Sequence, residues 1–298
     1  MSAPRGGGAA VGVVVVHYGE PASTAACVKA LHGDPSSCPR RIVVVDNSGA
    51  LPRCGFPGAE VLDAGANLGF GAGANLGVKH LGAGSWSALV ILNNDVEVME
   101  GYLAAASHAL DDQDVGAVVG PLYLDRPGGR LWYAGGCVVF LTGTVRQSTS
   151  GREASRARSV GFLPGAAFGI SPQAWHDTGG FDPGYFLYNE DVDLCLRLRR
   201  RGYLLHYVPG MAAVHRVGAV TGSSGRSPFY LEHLAATRLR PFRPLAYRVY
   251  LAGLHTAYVV LRALWHVALG GDEGRRAASA LLRGHARALA SLRTGPRR

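Results

Sequence analysis

Val11-Gly-Val-Val-Val-Val16 is a continuous β-branched run broken by a single glycine. Such a run marks a strand buried on both faces, because a half-exposed strand would alternate apolar with polar residues. His17-Tyr18-Gly19 ends it, and Ser23 to Leu31 reads as a short helix. Ile42-Val-Val-Val-Asp46 is a second buried strand, stopped at Asn47-Ser48-Gly49, and Val61-Leu62 is a weaker third. It leads into Gly65-Ala-Asn-Leu-Gly-Phe-Gly-Ala-Gly-Ala-Asn-Leu-Gly77, whose second half starts a helix reaching His80. Ala88-Leu-Val-Ile-Leu92 is a fourth strand, ending at Asn93-Asn94-Asp95. Strand and helix alternating at this spacing predict a parallel α/β sheet.

Ligands of such sheets bind beyond the carboxyl ends of the strands. Two of the strands end in an aspartate, Asp46 and Asp95, and a third leads into the glycine-rich turn. One aspartate after a strand is usually a turn former. Two of them flanking a glycine-rich turn point to a nucleotide site.

Further along, Gly101 to Leu110 reads as a helix and Val115 to Val119 as a strand. Leu131 to Val139 suggests a hairpin around Gly135-Gly136. Thr142 to Val160 is rich in Ser, Thr and Arg without periodicity, which predicts a mobile loop. Phe162 to Ile170 returns to the core. Then comes Gly179-Gly-Phe-Asp-Pro-Gly-Tyr-Phe-Leu-Tyr-Asn-Glu-Asp-Val-Asp193, a glycine- and aromatic-rich turn delivering three carboxylates to a helix start. Leu194 and Leu198 give that helix an apolar side, and Gly202 suits its C′ position. Acidic residues in a first turn are favoured by the helix dipole alone. Capping needs one carboxylate, however, and a second so placed can take a proton from a bound hydroxyl. Tyr203 to Val208 reads as a short strand, with His215 in the loop after it.

The net charge of +9 is unevenly distributed. Of the thirty basic residues eighteen follow Asp193, where the only acidic residues are Glu232, Asp272 and Glu273. A basic tail suits an anionic partner such as membrane headgroups or a diphosphate. It lacks the interleaved exposed aromatics of a strand-binding surface, so no nucleic acid is expected. Leu245 to Leu269 is apolar but interrupted by Arg248, His255, Arg262 and His266. These breaks argue for an amphipathic surface helix rather than a spanning one, and Ala277 to Leu292 repeats the theme. Packing on the globule and interfacial membrane attachment both fit. The five cysteines are odd in number and form no Cys-x-x-Cys pair, which argues against a zinc knuckle and for a reduced, cytoplasmic setting. The apolar run at Val11 is too short for a signal-peptide core.

Gly69-Phe-Gly71-Ala-Gly-Ala74 satisfies the loose dinucleotide fingerprint. That fingerprint belongs to the first strand-to-helix turn, and here the first strand runs into His17-Tyr18-Gly19-Glu20-Pro21. An NAD(P)-dependent oxidoreductase is therefore a secondary reading.

Asp46, the Asn67 to Asn75 loop, Asn93-Asn-Asp95, the Gly-Gly-Phe-Asp to Asp193 stretch and His215 form one ordered set over roughly residues 10 to 220. Together they resemble the family 2 glycosyltransferases of the GT-A fold, in particular their bacterial rhamnosyltransferase-like branch. The resemblance implies an α/β, Rossmann-like fold: a mostly parallel central sheet flanked by helices, with a C-terminal helical extension. It divides the chain into a transferase domain over 10–227 and a basic amphipathic helical tail over 228–298. Within the first, 10–100 is the nucleotide-binding half and 101–227 the acceptor and catalytic half.

The resemblance also implies roles. Asp46, Asn67, Gly69, Asn75, Asn93 and Asn94 would hold the nucleotide of a nucleotide-sugar donor. Asn93-Asn94-Asp95 stands where the family has its D-x-D motif, with asparagine in the first position and one negative charge fewer. Asp95 and His215 would hold Mg²⁺ or Mn²⁺. Asp191 matches the catalytic base, with Glu190 beside it. Asp193 would position the acceptor or hold a neighbouring arginine, and Trp175 and Tyr188 could offer a sugar a flat apolar face. The implied reaction is inverting, metal-dependent transfer of rhamnose from dTDP-rhamnose, or of a UDP-linked sugar, to a hydroxyl. The acceptor would be a saccharide, lipid-linked or natural-product molecule. The implied location is cytoplasmic, with peripheral contact on the inner face of the membrane as a further expectation. A nucleotide-sugar-binding but inactive relative is the other alternative.

Overall fold

The computed structural model describes residues 10–35, 39–51, 55–82, 86–216 and 227–292. The β-branched run is β1 (Ala10–His17), buried from Val11 onward. Pro21, at the first position of α1 (Pro21–Gly33), has no N–H to leave unpaired there. β2 (Arg40–Asp46), β3 (Ala59–Asp63), α2 (Phe70–Leu81) and β4 (Trp86–Asn93) follow. β1 lies between β2 and β4, and β3 flanks β2; all four strands are parallel. The register sets His17 beside Asp46 and Val16 beside Asn93, so three strands end together at one edge.

α2 lies close on this sheet because its inward positions carry no side chain. A Cβ on Gly77 would stand 2.4 Å from the Val14 Cγ1 atom, and one on Gly71 2.9 Å from the Phe181 Cβ. The glycine-rich stretch is thus largely a helix packed tightly against strands.

The middle of the chain runs through β5 (Val96–Val98), α3 (Tyr102–Ala109), β6 (Val115–Val119), β7 (Leu122–Tyr123) and β8 (Leu131–Tyr133). β9 (Gly136–Val139), β10 (Thr144–Gln147), α4 (Gly151–Ala154) and β11 (Arg158–Ser159) follow, and then β12 (Ala167–Ile170) and α5 (Pro172–Thr178). After these come α6 (Glu190–Arg200), β13 (Leu204–Tyr207) and β14 (Ala213–His215). The main sheet has the order β11-β13-β6-β12-β4-β1-β2-β3. β12 is antiparallel to both β4 and β6, which brings its first residues to the carboxyl edge of β4. A second sheet has the order β5-β14-β7-β8, and β9 and β10 form a third of two strands.

Three expectations need correction. Gly135-Gly136 is not a hairpin turn: β8 pairs with β7, and the hairpin is β9 with β10, turning through 140–143. Thr142 to Val160 is not one loop, because its polar residues form β10, α4 and β11. His215 is not in a loop but ends β14, buried, where pairing with β5 sets it opposite Val96.

The tail is helical: α7 (Pro228–Thr237), α8 (Leu245–Leu269) and α9 (Gly271–Ala290). Leu231, Ala235, Val259, Ala277 and Leu281 form a small apolar cluster between them. The inward side of α8 is mixed, with Leu251, Ala252, Val259 and Ala263 buried among polar groups. Arg248, His255 and His266 face inward, buried, while Tyr258, Leu261, Leu264 and Trp265 face out. The inward groups have partners: Arg248 donates to the Ser291 carbonyl (2.8 Å), and His255 meets His285 (3.2 Å). Among the described residues no helix is long and apolar enough to cross a membrane.

Candidate active site

A cleft of about 630 Å³ opens along the carboxyl edge of the main sheet. It gathers nine sequence candidates: Asn67, Gly69, Asn93, Asn94, Asp95, Tyr188, Glu190, Asp191 and His215. The floor is built from strand ends. Asn94 is buried and its amide donates to the Tyr18 carbonyl (3.3 Å) and the Thr24 hydroxyl (3.1 Å). That brace ties the end of β4 to the start of α1. Asp46 lies beneath the lining, and its neighbour Asn47 reaches the cleft. The Asp46 carboxylate accepts bonds from the backbone N–H of Ser48, Gly49 and Leu51 and from the Ser48 hydroxyl, at 2.8 to 3.0 Å. Burial works against its charge, but these donors outweigh it and hold its carboxyl below the usual aspartate range.

Asp95 and His215 meet because β14 pairs with β5. His215 Nε2 lies 3.2 Å from Asp95 Oδ1, and both side chains are buried. Asp95 Oδ1 accepts no hydrogen bond among the described residues. An orphaned buried carboxylate oxygen facing an imidazole nitrogen is a donor pair suited to a cation. Two ligands about 2.1 Å from one ion at right angles lie about 3 Å apart. Among the described residues no third His, Cys, Asp or Glu joins them, so the protein would fill only part of an ion's shell. Trp132 stands edge-on to the His215 ring, with centroids 4.9 Å apart.

The opposite wall is the start of α6. Tyr188 and Asn189 both have positive φ, 67° and 65°, which is costly for residues with a Cβ and tends to persist where a site depends on it. The turn aims Glu190 and Asp191 at the cleft. Asp191 Oδ2 accepts from the Gly165 N–H (3.1 Å) and Oδ1 from the Val192 N–H (2.8 Å). Burial raises the Asp191 carboxyl, and those N–H groups pull it back. Burial, helped by the neighbouring Asp191 charge, pushes Glu190 up to about 8. Burial thus favours a proton on this pair of carboxyls. Gly69 closes the corner: its φ is +81°, and a Cβ there would sit 1.9 Å from the Phe186 carbonyl oxygen.

Four candidates lie outside the lining, and each holds something else. Asp193 binds Arg197 (2.6 Å), whose guanidinium also donates to the Thr178 and Gly180 carbonyls. The arginine contact is one of its two expected roles. Asn75 makes both amide bonds to the backbone of Phe181, at 2.8 and 3.0 Å, clamping α2 to the turn before α6. Trp175 packs edge-on against Phe181, with centroids 5.7 Å apart. Asp46 has been described. Conversely, Trp132, Gln147, Phe229 and Tyr230 line the cleft and were not singled out from sequence. Phe229 and Tyr230 open α7, so the tail supplies part of the wall. Asn189 fixes that helix by donating to the Thr237 hydroxyl (2.8 Å).

A sheet that opens at its carboxyl edge onto such carboxylates is the architecture of the GT-A glycosyltransferases, and solved structures of that class resemble it. A mannosyltransferase from Pyrobaculum calidifontis, solved with GDP-Man and Mn²⁺, superposes with a TM-score of 0.55 at 20% identity, over 97% of this chain and 83% of that one. GalNAc-T7, solved with UDP, GalNAc and Mn²⁺, gives 0.59 at 17% identity, over 78% of this chain and 47% of that one. The sequence profile of "Glycosyltransferase like family 2" matches residues 4–240. The N-acetylglucosaminyl-diphospho-decaprenol L-rhamnosyltransferase of Mycobacterium tuberculosis is 30% identical over 269 residues, 82% of this chain and 80% of the relative. Rhamnosyltransferase WbbL of Escherichia coli is 64% identical over 38 residues, 13% of this chain and 14% of the relative. The chain belongs to the family 2 glycosyltransferases and is rhamnosyltransferase-like. It is a glycosyltransferase of the kind that uses nucleotide-sugar donors.

Proposed function

We propose that this enzyme transfers L-rhamnose from dTDP-rhamnose to a hydroxyl of a lipid-linked saccharide diphosphate, with inversion at C1. UDP-sugars are the second choice of donor. The observation that carries the reading is the cleft that Asp191 and Glu190 share with Asp95 and His215. The donor sugar and the acceptor class rest on the 30% identity to the mycobacterial enzyme.

In this reading Asp191 takes the proton of the acceptor hydroxyl as its oxygen bonds to C1 of the donor sugar. The C1–O bond to the diphosphate breaks on the opposite face, and the nucleoside diphosphate leaves with that electron pair. A single base acting in one displacement inverts the anomeric carbon. Asp95 and His215 would hold Mg²⁺ or Mn²⁺, whose charge, when bound, offsets that of the diphosphate. Asn67, Asn93 and the backbone at Gly69 line the donor side, and Tyr188 the acceptor side. Asn94 holds the floor beneath the donor in shape. A thermal-shift panel of nucleotide sugars tests the donor assignment. At 100 times its dissociation constant a ligand adds about 2.7 kcal/mol to stability. dTDP-rhamnose with Mn²⁺ should give the largest rise, and a panel in which no nucleotide sugar moves the transition would sink the reading.

The exposed apolar face of α8 supports a membrane-surface placement. A water-facing helix keeps its arginines and histidines outside, and this one keeps apolar side chains there, with Tyr258 and Trp265 suited to an interfacial belt. The basic excess after Asp193 complements anionic headgroups. α9, the second expected membrane segment, instead buries Ala277, Leu281 and Ala288. A Leu261→Glu, Leu264→Glu variant should therefore lose most of its sedimentation with anionic vesicles. An unchanged pellet would leave α8 without this role.

A further inference from the structure

The β9–β10 hairpin borders a second cleft, of about 840 Å³. Arg146, Arg158 and Arg199 line it against a single carboxylate, Glu153. Gln147 lines both this cleft and the catalytic one, so the two meet at that side chain. Arg158 is committed to the structure. It donates to the carbonyls of Ala134, Glu153 and Arg156 and lies over the Tyr207 ring at 4.7 Å. Arg146 and Arg199 are not so committed: both are exposed, with no hydrogen-bond or ion-pair partner among the described residues. They reach the cleft from different elements, β10 and α6. Two guanidinium groups converging on one space repel each other unless an anion joins them, and a diphosphate offers oxygens to both.

We infer that this cleft holds the diphosphate of the acceptor while the sugar it carries passes Gln147 to reach Asp191. The inference rests on the lipid-linked acceptor proposed above. It also gives the hairpin a purpose. Phe140 and Leu141 form its exposed apolar tip, and their carbonyls accept from the Tyr247 and Tyr250 hydroxyls of α8. Tip and outward face of α8 are thus fastened together on the side assigned to the bilayer. From Thr144 to Gln147 the strand rises about 10 Å. Apolar tip, arginines and catalytic cleft follow one another along the hairpin in the order in which lipid, diphosphate and first sugar are joined. α6 spans the same interval, with Asp191 at its start and Arg199 eight residues, about 12 Å, further on.

The test is an Arg146→Glu, Arg199→Glu double variant assayed on two acceptors that carry the same sugar, one on a lipid diphosphate and one on an uncharged alkyl chain. Loss of two charge-assisted contacts should raise KM for the diphosphate acceptor by about 10- to 100-fold. KM for the alkyl acceptor and the rate of donor hydrolysis should stay within about twofold. Cys137, an exposed thiol lining the cleft, gives a readout independent of turnover. Inorganic pyrophosphate should slow its alkylation, followed by peptide mass spectrometry, in the native enzyme and not in the variant. An unchanged KM for the diphosphate acceptor overturns the inference, as does an equal rise for both acceptors. A loss confined to binding of anionic vesicles would assign the arginines to headgroups and overturn it too. If the native enzyme uses no such acceptor, the proposed function fails, and Cys137 protection still decides whether the cleft takes a diphosphate.

Discussion

Asparagine at position 191 should lower transfer by about three orders of magnitude and leave nucleotide-sugar affinity within about twofold. The substitution keeps size and shape. Its carbonyl oxygen can still accept from the Gly165 or the Val192 N–H, so the turn that positions α6 should persist. What it removes is the ability to accept a proton. Asp191→Asn also takes away the neighbouring charge that helps to raise Glu190, while burial, the larger influence on that group, remains. Burial therefore still favours the proton on Glu190, which makes it a poor substitute base. In the native enzyme kcat/KM should climb with rising pH, at a pH above the ordinary aspartate range, because the raised Asp191 carboxyl must lose its proton before it can act. Single-turnover transfer, with donor affinity from thermal shifts in the same buffer, separates the two effects. Residual transfer within about tenfold of native would move the base to Glu190.

The sequence carried the half of the site that strands deliver. Val11 to Val16 and Ile42 to Asp46 read as strands because burial on both faces leaves an uninterrupted apolar signature. Asp46, Asn93 and Asp95 then fall at one edge through sheet register alone. What was hidden depends on pairing between distant segments. The family resemblance singles out His215, but its strand, β14, and the pairing with β5 that sets it against Asp95 leave no mark in the sequence. Trp132 enters the cleft only because β8 joins that same small sheet. Gly135-Gly136 imitates a turn, while the true turn carries Phe140 and Leu141, apolar residues that a hairpin tip seldom exposes. Periodicity marked α8 as two-faced but could not say which face the protein keeps. Here Arg248 and His255 go inward together with Leu251 and Val259, because Ser291 and His285 meet the polar pair.

Chelation should abolish transfer, and Mn²⁺ or Mg²⁺ should restore it; Asp95→Ala should lower transfer by about a thousandfold, with no recovery on adding metal. The protein buries a carboxylate oxygen beside an imidazole nitrogen, and among the described residues that oxygen accepts no hydrogen bond. An unsatisfied buried polar group costs about 1–3 kcal/mol, and a cation held between the two would satisfy both. Asp95→Ala should then cost little stability in chelator, because no donor loses its acceptor there. His215→Ala should be milder than Asp95→Ala, since it removes a neutral ligand and leaves the charge. Electron paramagnetic resonance of Mn²⁺, with nucleoside diphosphate present, reads the site without any turnover. Native protein should sequester the ion, Asp95→Ala should leave it free, and His215→Ala should fall between. Transfer at full rate in chelator would separate the pair from catalysis, and Mn²⁺ held equally by all three proteins would place the ion elsewhere. Asn93→Asp adds a negative charge two residues from Asp95, so it should tighten Mn²⁺ binding if Asp95 is the carboxylate that holds it.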